Sequence, residues 1–239
     1  METRLIKILT TVLLVVIVAG TSLTASAQGR ATRSKTTRTE RIRKPVRRTE
    51  PKAPTSTSIS ATEWEPNKTT LISFLEFPST IDEWKQMQKT FGLKPEGAVA
   101  LQVMAFELYR NNRTDGEQAL KLNNTSTNYN STVERLREIM GKDQYYARPY
   151  IAWALLEGAT PENGYNVLPP YSLRIKVDPN KKYQESQLLH GTVISLLIDS
   201  KGWDTNWRGV EVVRPAGSDY FVVSNCPAMY TQCKEAKKQ

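Results

Sequence analysis

Thirteen consecutive residues, Gly97-Ala98-Val99-Ala100-Leu101-Gln102-Val103-Met104-Ala105-Phe106-Glu107-Leu108-Tyr109, put apolar side chains on almost every side of a helical projection. A helix of that kind cannot lie on a surface, because no rotation about its axis hides the apolar groups from water. It has to be wrapped by other elements. Lys94-Pro95-Glu96 precedes it as a first-turn signature: proline at the first helical position gives up an amide that would have had no partner. At this density of apolar residues Met104, Phe106 and Tyr109 read as core packing rather than as a ligand box.

The surrounding stretches supply the wrapping. Thr80-Ile81-Asp82-Glu83 is a capping-box pattern and predicts a helix from about Ile81 to Phe91, ended by Gly92. Asp115 opens a shorter helix through Leu122. Asn123 to Asn130 is polar enough to read as a loop, and Ser131-Thr132-Val133-Glu134 as a second capping box that starts a helix over Val133 to Met140. A further helix is expected from Pro149 to Glu157. After Pro169-Pro170 the period changes to two. Tyr171-Ser172-Leu173-Arg174-Ile175-Lys176-Val177 alternates as a half-buried strand, and Leu188 to Ile198, Val210 to Val213 and Tyr220 to Val223 follow. Helices first and antiparallel strands afterwards give an α+β fold, with an N-terminal helical layer on a C-terminal sheet of about four strands.

Charge is distributed very unevenly along the 239 residues. Residues 1–62 hold twelve basic and three acidic side chains and so account for the whole net charge of +9. Residues 63–239 are electrically balanced, which argues against a globular nucleic-acid binder with a basic face. Arg4 and Lys7, an apolar run from Ile8 to Gly20 and the small-x-small site Ala25-Ser26-Ala27 read as a signal peptide cleaved after Ala27. That run is shorter than the ~20 apolar residues of a membrane span. Residues 28–62, rich in Arg, Lys, Thr, Ser and Pro, cannot bury enough apolar surface to fold and are expected to be a disordered linker. Such a segment either adheres to an anionic envelope component or protein partner, or serves as a self-repelling spacer. The expected organisation is therefore a signal peptide over 1–27, a basic linker over 28–62 and one α+β domain over 63–239.

Catalytic and metal-binding residue types are scarce. The chain has one His and two Cys and lacks the nucleophile-elbow, phosphate-loop, dinucleotide-binding and zinc-helix motifs, so no catalytic residue, metal or cofactor is assigned. A Cys226/His190 pair with Asn225 is conceivable, but an exported Cys226 has Cys233 nearby to oxidise it. Cys226 and Cys233 are accordingly expected to form a disulfide closing a small loop. Trp203, Asp204 and Trp207, on a stretch between strands, are the candidate binding residues. The two indoles could stack on a sugar ring or partner, or fold back as a minor core.

Lys94-Pro95-Glu96-Gly97-Ala98-Val99-Ala100-Leu101 and Gly158-Ala159-Thr160-Pro161-Glu162-Asn163-Gly164-Tyr165 resemble the two motifs of an uncharacterised bacterial domain-of-unknown-function family (number 6935). That family pairs a TPEGAAAL-like helix with a TPENGY-like turn and a short antiparallel sheet. The resemblance covers about residues 70–225 and implies a fold but no reaction. The functional expectation is an exported, non-catalytic binding or interaction module of the cell envelope. The alternative is an envelope glycan or peptide hydrolase using carboxylates.

Overall fold

The computed structural model describes residues 67–141, 147–180, 183–186, 189 and 191–237. The expected signal peptide, the basic linker and His190 lie outside them. Strand β1 (Thr69–Phe74) comes first, followed by helices α1 (Ile81–Phe91), α2 (Pro95–Asn111), α3 (Arg113–Asn123) and α4 (Ser126–Ile139). Strands β2 (Tyr171–Val177), β3 (Tyr183–Ser186), β4 (Gly191–Asp199), β5 (Trp207–Val213) and β6 (Val222–Asn225) complete an antiparallel sheet in the order β1-β2-β4-β5-β6. Strand β3 pairs with the first half of β4 and β2 with the second half, so β2 and β3 flank the same side of β4. The fold is α+β as expected, but the sheet is larger than four strands. One added strand, β1, precedes the helices and pairs along all of β2.

α1 forms where its cap dictates. Thr80 Oγ1 accepts from Glu83 N at 3.2 Å, while the Glu83 carboxylate takes the amide and hydroxyl of Ser79, each at 2.8 Å. The helix ends at Gly92 for reasons of space rather than of backbone twist. Its φ is −63°, and a Cβ there would stand 2.7 Å from Gln88 O. α2 is buried from Pro95 to Tyr109, as its apolar circumference demands. Close approach is what permits this wrapping: a Cβ on Gly116 would fall 2.1 Å from Tyr109 Cα, so α3 lies directly against α2. Trp84 of α1 donates from Nε1 to Leu101 O at 3.1 Å, satisfying the one polar atom of a fully buried indole.

One sheet face meets these helices. Ile72 and Phe74, Leu173, Ile175 and Val177, Ile194, Leu196 and Ile198, Val210 and Val212, and Val223 belong to the same core as α2. The outer edge of β6 is closed by the corner between α3 and α4. Asn124 bridges Val223, and Thr125 N donates to Val223 O at 2.9 Å.

Two helical expectations need correction. α4 begins at Ser126, inside the stretch read as a loop, and the supposed capping box lies in mid-helix, where Ser131 Oγ turns back to Thr127 O and Asn128 O. The asparagines there are polar because they enter a buried cluster, not because they face water. The segment 149–157 is not an α-helix. It winds through three-residue turns, with Leu155 N on Ala152 O and Leu156 N on Trp153 O around a single 3₁₀ turn, Trp153–Leu155.

Candidate functional site

The three sequence-predicted binding residues do not converge. Trp203 is 2% exposed, with Nε1 donating to Thr231 O at 2.6 Å and the Arg208 guanidinium 5.4 Å from its ring centre. It has folded back as core. Trp207 pairs with Asp199 at the end of β5 and is half-buried, with Lys176 Nζ 4.2 Å above its ring. Asp204 is fully in solvent and pairs with Lys234 at 3.1 Å.

The expected Cys226–Cys233 disulfide is not formed. Both cysteines are free and buried. The residues between them are taken up by a 3₁₀ turn over Pro227–Met229 and by Gln232 at φ 60°, and the two sulfurs join different neighbourhoods. Burial pushes both thiols up to about 11. Cys233 Sγ lies 3.9 Å from Tyr165 Oη. Cys226 Sγ sits among Gln102, Asn128 and Thr132.

What the fold does bring together is a cleft of about 300 Å³ lined by Arg110, Pro149, Tyr150, Trp153, Gly164, Tyr165 and Asn166. Its floor is built by the turn Thr160 to Tyr165. Asn163 Oδ1 accepts from Thr160 N at 2.9 Å, Thr160 Oγ1 accepts from Asn163 N at 3.2 Å, and Tyr165 N closes on Thr160 O at 2.9 Å. Gly164 follows at φ 63° and Tyr165 at φ 61°. Left-handed backbone is rare for a residue with a bulky side chain and costs on the order of 1–3 kcal/mol. Here the ring is what offsets it. Tyr165 stacks on Tyr150 with centroids 5.0 Å apart and donates from its hydroxyl to Lys234 O at 3.0 Å. The C-terminal segment straps the turn: Lys237 N donates to Pro161 O at 2.8 Å and Ala236 N to Tyr150 Oη at 3.1 Å. Desolvation raises both tyrosine pKa values, so both are neutral donors throughout the physiological range.

Trp153 forms the far wall and continues it outward. Its ring lies 5.4 Å from those of Phe77 and Tyr171, which are likewise 5.4 Å from each other. Among the described lining residues there is one charge. Arg110 Nε donates to Glu107 Oε2 at 2.9 Å and its Nη2 to Oε1, and the Glu107 side chain is only 3% exposed. This bidentate partner raises the Arg110 pKa and balances its charge. Glu107 thus engages Nε and Nη2 of the planar fork.

Among the described residues no group of three or more His, Cys, Asp and Glu could hold a metal ion. Nor is any helix there long and apolar enough to cross a membrane.

A family model described as Domain of unknown function (DUF6935) matches residues 76–237. The chain belongs to that family. The match takes in the central helix, the strapped turn and every strand of the sheet except β1. No curated protein and no solved structure matches the chain.

Sequence reasoning missed Arg110, Tyr150 and Trp153, and read the motif ending in Tyr165 only as a turn. A signal was present: a tyrosine directly after Asn-Gly, where a turn favours small residues, must be held by its side chain.

Proposed function

We propose that this chain is an exported, non-catalytic binding module of the cell envelope and that its ligand enters the Tyr150/Trp153 cleft. The observation that carries the reading is the composition of that cleft. Aromatic walls offer flat apolar faces, and one charge-balanced guanidinium and the side chain of Asn166 at the rim offer hydrogen bonds. That chemistry suits a ligand with an apolar face and polar edges. A glycan or peptide hydrolase that works through carboxylates needs two carboxyl groups across a cleft, roughly 5–10 Å apart. The described residues lining this one include no carboxylate, which favours binding. Residues 28–62 fit the same reading as a cationic, self-repelling spacer ahead of the domain.

The test is co-sedimentation of the purified chain with insoluble envelope polymer. Removing the Trp153 ring should reduce the retained fraction about five- to tenfold, the effect of losing one aromatic stacking contact. Since Trp153 is only half-buried, Trp153→Ala should keep a cooperative unfolding transition. Equal retention of the folded variant and the parent would remove the cleft from the reading.

A further inference from the structure

The neighbourhood of Cys226 contains a nucleophile, an electrophile and two donors on the electrophile's oxygen, all closed to water. Cys226 Sγ lies 3.6 Å from Gln102 Nε2. Gln102 Oε1 accepts from Asn123 Nδ2 and from Asn124 Nδ2, each at 2.9 Å. Two N–H donors on one carbonyl oxygen are the arrangement that stabilises the charge developing there when a nucleophile adds to the carbon. The sulfur is itself held in place, 3.4 Å from Asn128 Nδ2 and 3.7 Å from Thr132 Oγ1. Gln102, Asn123, Thr132 and Cys226 are all 0% exposed.

Hydrogen bonding alone gives little reason for the thiol. Sulfur is a weak donor and a weak acceptor, and a serine would satisfy three surrounding polar groups better. What a thiol adds beside a carboxamide is reactivity.

We propose that Cys226 and Gln102 join in an internal thioester that the chain forms by itself. Sγ adds to Cδ of Gln102 and a carbon–sulfur bond forms. The carbon–nitrogen bond then breaks, the thiol proton passes to Nε2, and one molecule of ammonia leaves. Nothing is oxidised or reduced, and no second reactant is consumed. The proton moves with the attack to the departing nitrogen, so the step needs no free thiolate and is compatible with a thiol that burial keeps neutral. Gln102 Nε2 donates to the sulfur, so the two groups are already paired, and a rotation of the carboxamide that turns Cδ toward Sγ is the remaining movement that attack requires. Ammonia leaves during a local opening of the cluster, and once the cluster has closed again the linked atoms, at positions 0% exposed, are out of bulk water. The bond would tie the middle of α2 to the residue just after β6, across a sequence separation of 124.

The experiment is intact mass spectrometry of the full chain, purified without added amine and denatured in acid, followed by peptide mapping. The expected result is a species lighter than the calculated chain by one ammonia, with the Gln102 and Cys226 peptides recovered as one linked species. Methylamine added during unfolding should open the link and leave methylamide on Gln102. Cys226→Ala and Gln102→Glu should each restore the calculated mass. Cyclisation of an N-terminal Gln28 also releases ammonia, and the Cys226→Ala comparison separates the two. A parent that loses no more ammonia than the Cys226→Ala variant, a parent chain at its calculated mass, or one lighter only by two hydrogens would each overturn the proposal. The parent's mass decides the matter even if a variant fails to fold.

Discussion

Around Cys226 and in the Tyr165 cleft the protein holds polar groups in opposite ways. The first cluster is assembled from α2, α4, the α3–α4 corner and the residue after β6, and its side chains reach one another and the buried carbonyls of Ala98 and Leu120. The second is built on a turn, braced by the C-terminal segment and open on one side. A sealed cluster can act only on its own atoms, whereas an open one can act only on what arrives. The contrast also sets where substitutions should hurt. In the sealed cluster every lost partner strands another buried group, while at the open site water can replace it.

Asn124 gives the largest expected effect. Its Nδ2 serves Gln102 Oε1 and Leu120 O, at 2.9 and 2.7 Å, and its Oδ1 accepts from Asn128. Asn124→Ala should cost about 3 kcal/mol in urea unfolding, with several buried groups left short. Asn166→Ala, at the exposed rim of the cleft, should stay within about 0.5 kcal/mol. Comparable losses for the two would erase the distinction.

Alkaline pH should produce the next largest change. Cys233 has a pKa raised from 9.0 to about 11, first by burial, with Arg148 and Arg208 opposing. Its folded value lies above its unfolded one, so the stabilisation is complete below pH 9 and is lost as pH rises to about 11. The loss should be ~2–3 kcal/mol, measured as a falling urea midpoint, and Cys233→Ala should make the decline shallower, leaving the part due to buried tyrosines such as Tyr150 and Tyr165. Cys226 would contribute a similar decline only as a free thiol, since a thioester sulfur does not titrate. The depth of the alkaline drop thus bears on both thiol neighbourhoods.

The smallest change concerns the brace. Tyr165→Phe keeps the ring stacked on Tyr150 and removes the bond to Lys234 O. About 1 kcal/mol should be lost, and amide hydrogen exchange should accelerate at Ala236 and Lys237 but not at Asn128. Acceleration at Asn128 as well would show that the two regions are coupled.

Much of the fold could be read wherever local chemistry and tertiary demand agree. α1 starts at its cap, α2 is wrapped because it is apolar all round, and β2 runs over the residues whose alternation announced it. The misreadings occur where a tertiary partner reverses a local preference. Asn124, Asn128 and Thr132 recur every four residues and point into one buried cluster, but composition alone assigned the two asparagines to a loop and Thr132 to a capping box. β1 meets its partner β2 only after four helices have intervened, and β3 is four residues long. Trp203 and Trp207 are close in sequence and part in space, because the loop turns one indole under the sheet end while strand alternation carries the other to the face away from the helices. Two cysteines with six residues between them suggested a bridge, yet the turn between them sends each sulfur to its own set of partners.

The lid that the α3–α4 corner places over β6 bears on how copies of this chain could associate. A ladder of molecules needs two open margins per sheet, one to receive and one to offer. With the β6 margin occupied by Asn124 and Thr125, strand-by-strand joining could proceed only through the opposite border and would stop at a pair instead of growing into a fibre.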